Sequence, residues 1–110
     1  MIDWDRVQEL KDEVGSDDFA EVVDLFLEEV QDVIDRLEAL SDRAKLEQDL
    51  HFLKGSALNL GFNDFSALCQ DGERLSSESR ASEVDLPSII ECYTLSRDCF
   101  MSGLNGETTT

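Results

Sequence analysis

His51, the single histidine among 110 residues, stands three residues before Lys54 and four before Gly55. Positions three and four apart are neighbours on a helix surface. One imidazole would therefore have an ammonium on one flank and a bare backbone position on the other. A neutral imidazole at pH 7 is a good nucleophile towards an activated phosphoryl group. The phosphoramidate it forms keeps a high transfer potential, so the group can be handed on again. Lys54 would neutralise phosphoryl oxygens as a mobile point charge. Gly55 costs about 1 kcal/mol of helix propensity relative to alanine, and its missing side chain would leave the approach to the ring open. Ser56, small and able to bond back to the helix, is the weakest member of the set.

The apolar spacing gives the direction in which the ring faces. Leu46, Leu50, Leu53, Ala57 and Leu60 recur at intervals of four and three, the pattern of a helix burying one stripe. At about 100° per residue, their mean direction lies roughly 140° from His51. Glu47, Lys54, Gly55 and Leu58 share the face of His51, and Gln48 flanks it on the other side. The expected setting is solvent or a shallow groove. No Walker loop, glycine-rich nucleotide fingerprint or carboxylate cluster for Mg²⁺ is present in the sequence. A nucleophilic histidine without a donor site must take its phosphoryl group from another protein.

The remaining elements also read as helix. Strand signals are nearly absent, with one proline, at position 87. A short first helix is expected near Asp3–Val14, with Trp4, Val7 and Leu10 on one side and Gly15 as its stop. Ser16 or Asp17 offers an N-cap to a second helix over Asp18–Leu40. Its apolar stripe is Phe19, Val22, Val23, Phe26, Val30, Val33, Ile34, Leu37 and Leu40. Ser41 or Asp42 would start the histidine-bearing helix, which ends at Gly61. Asn63 would cap a fourth helix, striped by Phe65, Leu68, Cys69 and Leu75. A polar linker at Ser76–Ser82 precedes a fifth, with Pro87 in its first turn and Ile89, Ile90, Tyr93, Phe100 and Leu104 inward. Trp4 and the phenylalanines are assigned to the core. The expected fold is all-α, an antiparallel four-helix bundle with a short additional N-terminal helix. It forms one domain over 1–105, with a flexible tail at 106–110.

Charge and cysteine usage narrow the function classes. The formal net charge is -17. Residues 1–50 carry 17 acids against 5 bases, and residues 51–110 carry 9 against 4. From His51 to Asn63 the only formal charge besides any on the histidine is Lys54. Such a surface repels phosphate backbones and anionic membranes, so nucleic acid and membrane are not expected partners. No apolar run approaches the roughly 20 residues of a membrane span, and the acidic N-terminus lacks the features of a signal peptide. Cys69, Cys92 and Cys99 form no CxxC and are read as reduced thiols in a cytoplasmic protein. Cys92 and Cys99, seven apart, are assigned to one buried face. No metal site is expected, because His51 points away from any such cluster.

With its surroundings, the His51 segment resembles the histidine-containing phosphotransfer (HPt) domains of multistep phosphorelays. Their helical core reads approximately H-x-L-K-G-S-S-x-x-x-G-A, followed on the next helix by C-x-x-L-E. This chain supplies His51, Leu53, Lys54, Gly55, Ser56 and Gly61, then Cys69 and Glu73. The resemblance implies that His51 accepts a phosphoryl group from a receiver-domain aspartyl phosphate and gives it to another receiver. It implies a phosphate-facing charge at Lys54, an open approach at Gly55, and a Glu73 carboxylate that holds the second ring nitrogen. The implied partners are response-regulator receivers and a hybrid histidine kinase, with Mg²⁺ in the partner receiver and no cofactor or kinase activity here. Leu58 would offer an apolar docking contact beside Gln48.

Three departures from the family pattern stand out. Gly72 occupies a position where the family usually has leucine, so the packing there is expected to loosen or narrow and the placement of Glu73 with it. Phe62 replaces a small residue, and Ala57-Leu58 replaces a more polar pair. Two rival readings are a helical adaptor with an incidental histidine and a dimeric kinase-like phosphotransferase. Five helices with enough apolar stripe to close a bundle within one chain favour a monomer over the dimer. The starting methionine and loose tail suggest a free-standing protein.

Overall fold

A computed structural model describes residues 2–39 and 45–106, with side chains through 104. Five helices follow in order: α1 Trp4–Val14, α2 Ser16–Glu38, α3 Leu46–Leu60, α4 Asn63–Ser77 and α5 Leu86–Gly106, with a single 3₁₀ turn at Ala81–Glu83 before α5. Among the described residues there is no strand, only an isolated bridge between Ile2 and Phe62. Helices α2 to α5 touch in ring order, and α1 lies across α2 and α3. The molecule is elongated, 46 × 22 × 22 Å, as expected when the longest helix has 23 residues at about 1.5 Å rise each.

The predicted stripes supply most of the core, with Val22, Phe26, Leu68, Leu75, Ile90 and Leu104 only partly buried at its margin. Leu46, Leu50, Leu53, Ala57 and Leu60 of α3 are buried, as are Phe19, Val23, Val30, Val33, Ile34 and Leu37 of α2. Burying one such side chain contributes about 1.5–3 kcal/mol. At one end an aromatic cluster closes the bundle: Phe62 and Phe100 meet edge to face at 5.3 Å, and Phe65 lies 5.3 Å from Tyr93.

Gly61 ends α3 in the left-handed region, φ +78°, as its position after the last apolar residue predicts. The same turn anchors the N-terminus. Asp3 N–H donates to the Gly61 carbonyl at 2.7 Å, and a Cβ at Gly61 would stand 2.6 Å from the Asp3 carbonyl oxygen. Asp3 also caps α1 by accepting from Arg6 N–H.

Several local expectations change. Gly15 has φ +88° and reverses the chain so tightly that α2 starts at Ser16 with no side-chain cap. Ser16 and Asp17 are therefore helical residues and not N-caps. Asn63 is likewise the first residue of α4, because the buried Phe62 takes the flanking position. Ser41, Asp42 and Leu40 lie outside the described residues, and α3 begins at Leu46. The expected polar linker is shorter, since α4 continues through Ser77. Helix α5 runs to Gly106, one residue into the expected tail, whose residues 107–110 lie outside the described set.

Three core assignments also need revision. Phe52 is exposed because it sits about 100° round the helix from His51, outside the leucine stripe. Trp4 stays 36% exposed, stacked on Phe100 at 5.9 Å between ring centroids. Cys92 is partly buried, but Cys99 is exposed. An ideal helix drifts about 20° per heptad, and that drift turns the second cysteine out of the core face.

Candidate functional site

The site is built from α3 and α4, the pair with the most extensive mutual packing. Leu50 and Leu53, both fully buried, clamp α3 on either side of His51 and drive its ring outward. The His51 side chain is 70% exposed. On α4, Glu73 follows Gly72, and that glycine lets the two helices approach. A Cβ at Gly72 would lie 2.7 Å from Leu50 Cδ1, 3.3 Å from Val84 and 3.4 Å from Ile89. Leu50, Val84 and Ile89 thus occupy the room a leucine would need. The departure at Gly72 narrows the packing of α4 beside Glu73.

Glu73 joins the two candidate residues of α3. Its Oε2 lies 2.6 Å from His51 Nδ1, and its Oε1 accepts from Lys54 Nζ at 2.7 Å. Lys54, with His51 behind it, holds the Glu73 carboxyl below its ordinary range, against a smaller opposing effect of burial. An ionised carboxylate can only accept, so the proton on the imidazole sits on Nδ1. In the neutral ring that leaves the lone pair on Nε2, the form a nucleophile requires.

The surroundings keep access open. A Cβ added at Gly55 would meet nothing within 4 Å. Gln48, Leu58 and Phe52 are exposed around the ring. On the opposite flank a groove of about 400 Å³ runs between α3 and α4, lined by Glu47, Lys54, Gln70, Glu73, Arg74 and Ser77. Ser56 is buried. It stands about 140° round the helix from His51, so it belongs to the packing and not to the face around the ring. Below the site, Arg36 of α2 pairs with the largely buried Asp49, tying α2 to the first turn of α3.

Sequence reasoning put Phe52 in the core with the other phenylalanines and weighed Arg74 beside Lys54 as a partner of Glu73, whereas Arg74 pairs with Glu78 and lines the groove. Phe52 could have been placed on the exposed shoulder from its angle to the leucine stripe. Arg74 has no local signal, because its place in the groove depends on how α4 lies against α3.

Among the described residues, no group of three or more His, Cys, Asp or Glu could hold a metal ion. The Cys69 thiol is buried and its pKa is pushed up to about 12 by desolvation, so it is a packing group and not a thiolate nucleophile. No described helix is long and apolar enough to cross a membrane.

The family model described as Hpt domain matches residues 21–98, well over half of the chain. The chain belongs to the Hpt domain family. Hpt domains are helical-bundle phosphotransfer modules of phosphorelays, carriers and not kinases, and they work with receiver domains and kinases. The match takes in α3, α4 and most of α2 and α5, and so includes every residue of the His51–Lys54–Glu73 array. No curated protein and no solved structure matched the chain.

Proposed function

We propose that this Hpt domain accepts a phosphoryl group on His51 Nε2 from the aspartyl phosphate of one receiver domain and passes it to another. The observation that carries the reading is Glu73, whose two oxygens meet His51 Nδ1 and Lys54 Nζ at 2.6 and 2.7 Å. In the forward step the Nε2 lone pair attacks phosphorus. The N–P bond forms as the P–O bond to the aspartyl group breaks, and the carboxylate leaves with the bonding electrons. The ring gains positive charge in that step, and the Glu73 carboxylate against Nδ1–H stabilises it. Lys54 offsets charge on the phosphoryl oxygens. The reverse sequence at a second receiver returns Nε2 to its free state.

The partner receiver's aspartyl site would hold the Mg²⁺, which would supply neutralising charge for phosphoryl oxygens there. A hybrid histidine kinase supplies the phosphoryl group through its receiver, and response-regulator receivers take it. The chain acts as a cytoplasmic monomer, and its contacts are transient. Gln48, Phe52 and Leu58 form the docking rim, with Gly55 as the open approach.

The test is ³¹P NMR of the chain after mixing with a phosphorylated receiver domain. A phosphoramidate resonance that is lost in acid and survives in base supports the carrier. Bound receiver with no such resonance supports an adaptor that holds its partner without chemistry.

A further inference from the structure

A cavity of about 290 Å³ lies where α4 meets the 3₁₀ turn and the start of α5, and it shares no residue with the rim around His51. Leu68, Gly72 and Leu75 recur at intervals of four and three, so they share one face of α4. With Val84 and Ile89 they form an apolar floor. Gly72, Val84 and Ile89 are buried, and Leu68 and Leu75 are partly buried. Because Gly72 has no side chain, the backbone of α4 is itself part of that floor.

The mouth has the opposite character. Asp71, Glu83, Asp85 and Ser88 surround it, and all four are exposed. Asp85 accepts from Ser88 Oγ at 2.7 Å and from Ser88 N–H at 3.2 Å, which holds its carboxyl below the ordinary range. Arg80 donates to both oxygens of Glu83, at 2.7 and 2.9 Å, and lowers that carboxyl likewise. Arg80 thus offsets one of the three carboxylates. Among the described residues no lysine or arginine pairs with Asp71 or Asp85, so the mouth keeps a negative charge above an apolar floor.

We infer that this cavity is a binding site for a small organic cation, an ammonium or guanidinium group on an apolar body. The body would lie on the floor around Gly72, and the charged group would sit at the mouth with Asp71 and Asp85. The volume stands at the lower end of the range for small-molecule sites, about 300–1,000 Å³, which are mostly apolar with a few placed polar groups. A mouth of one charge over low-dielectric walls gathers ions of the opposite sign. Anions, and a second copy of this chain with its net charge of -17, would be repelled. A protein partner fits less well. None of the exposed large apolar side chains lines the cavity, so its apolar surface ends at the mouth. A stable protein contact needs about 800 Å² on each partner, with an apolar centre. The site does not depend on the phosphorelay reading.

The test titrates the whole chain with phenethylammonium, phenethyl alcohol and phenylacetate, followed by amide NMR. Wild type is compared with Asp71→Asn, which removes charge at the mouth, and with Leu68→Trp, which fills the cavity. Circular dichroism confirms that each variant is helical. The expected result is saturable shifts for phenethylammonium centred on Leu68, Gly72, Val84 and Ile89. The alcohol should bind about tenfold more weakly, and phenylacetate not at all. Asp71→Asn should weaken the ammonium about three- to fivefold, and Leu68→Trp should abolish its binding. Equal binding of the three compounds would overturn the inference. So would shifts that spread over the acidic surface without saturating, or ammonium binding unchanged in both variants. A receiver or kinase domain whose association is lost in Leu68→Trp, with no binding of the ammonium to wild type, would overturn it in favour of a protein contact.

Discussion

Glu73 Oε2 lies 2.6 Å from His51 Nδ1 across the interface of two helices, 22 residues apart in the chain. That contact sets the tautomer of the ring, because the carboxylate has no proton to give. Replacing it should therefore alter chemistry more than fold. Glu73→Ala is expected to slow phosphoryl transfer on the order of tenfold or more while the chain stays helical. ¹⁵N NMR of the imidazole should show Nδ1–H in wild type and a mixture of tautomers in the variant. An unchanged tautomer with an unchanged rate would remove Glu73 from the mechanism.

Lys54 reaches the same carboxylate, at 2.7 Å from Oε1. In the proposed reaction its charge also serves the phosphoryl oxygens. Lys54→Met keeps much of the stem and removes the ammonium, so stability should change by less than about 1 kcal/mol. The transfer rate should fall by about tenfold, and Glu73 should titrate closer to an ordinary carboxylate. Lys54→Arg should restore part of the rate. Equal rates for all three proteins would show that the ammonium plays no part in transfer.

Acidification tests the same pair through stability. The Glu73 pKa is lowered by Lys54 and then by His51, so the folded state binds its proton less readily than the unfolded chain does. Its contribution is present in full above the unfolded carboxylate range, about pH 4.3. It is lost as pH falls through the lower folded-state value. The difference in unfolding free energy between wild type and Glu73→Gln should be flat from pH 5 to 6 and shrink below about pH 4. A difference that grows on acidification would have the wrong sign for this ion pair.

Two glycines should respond in opposite directions. A Cβ placed on Gly55 would have nothing within 4 Å of it, so Gly55→Ala should stabilise the helix by about 0.5–1 kcal/mol. Gly55→Gln should leave the fold intact and raise the receiver concentration needed for half-maximal transfer. At Gly72 a Cβ would meet Leu50 at 2.7 Å, and Leu50 has no room to yield because it is fully buried. Gly72→Leu, which restores the usual family residue, should cost about 1–3 kcal/mol from overpacking. It should also slow transfer by moving Glu73. Thermal unfolding of the two variants checks both signs.

How much could be read before the structure differs from one residue to the next. The α3 stripe was legible because leucines spaced by four and three report a buried face directly, and the exposure of His51 follows from the same angles. The Gly61 stop was legible because only a residue free of a Cβ fits both its left-handed backbone and the close approach of Asp3. The caps at Ser16 and Asn63 were misjudged, since Gly15 and Phe62 take those places through turn geometry and burial that composition does not display. The role of Gly72 needed Leu50, Val84 and Ile89 in view, residues from three separate segments. Glu73 was nameable only by resemblance, because its distance to His51 depends on how closely α4 approaches α3.

The carrier role of His51 is decided by phosphoryl transfer from a ³²P-labelled receiver domain to wild type and to His51→Gln. Acid-labile label is expected on wild type and none on His51→Gln, with onward movement of that label when a second, unlabelled receiver is added. Equal label on both proteins would rule the role out, as would none on a folded wild type that binds the receiver.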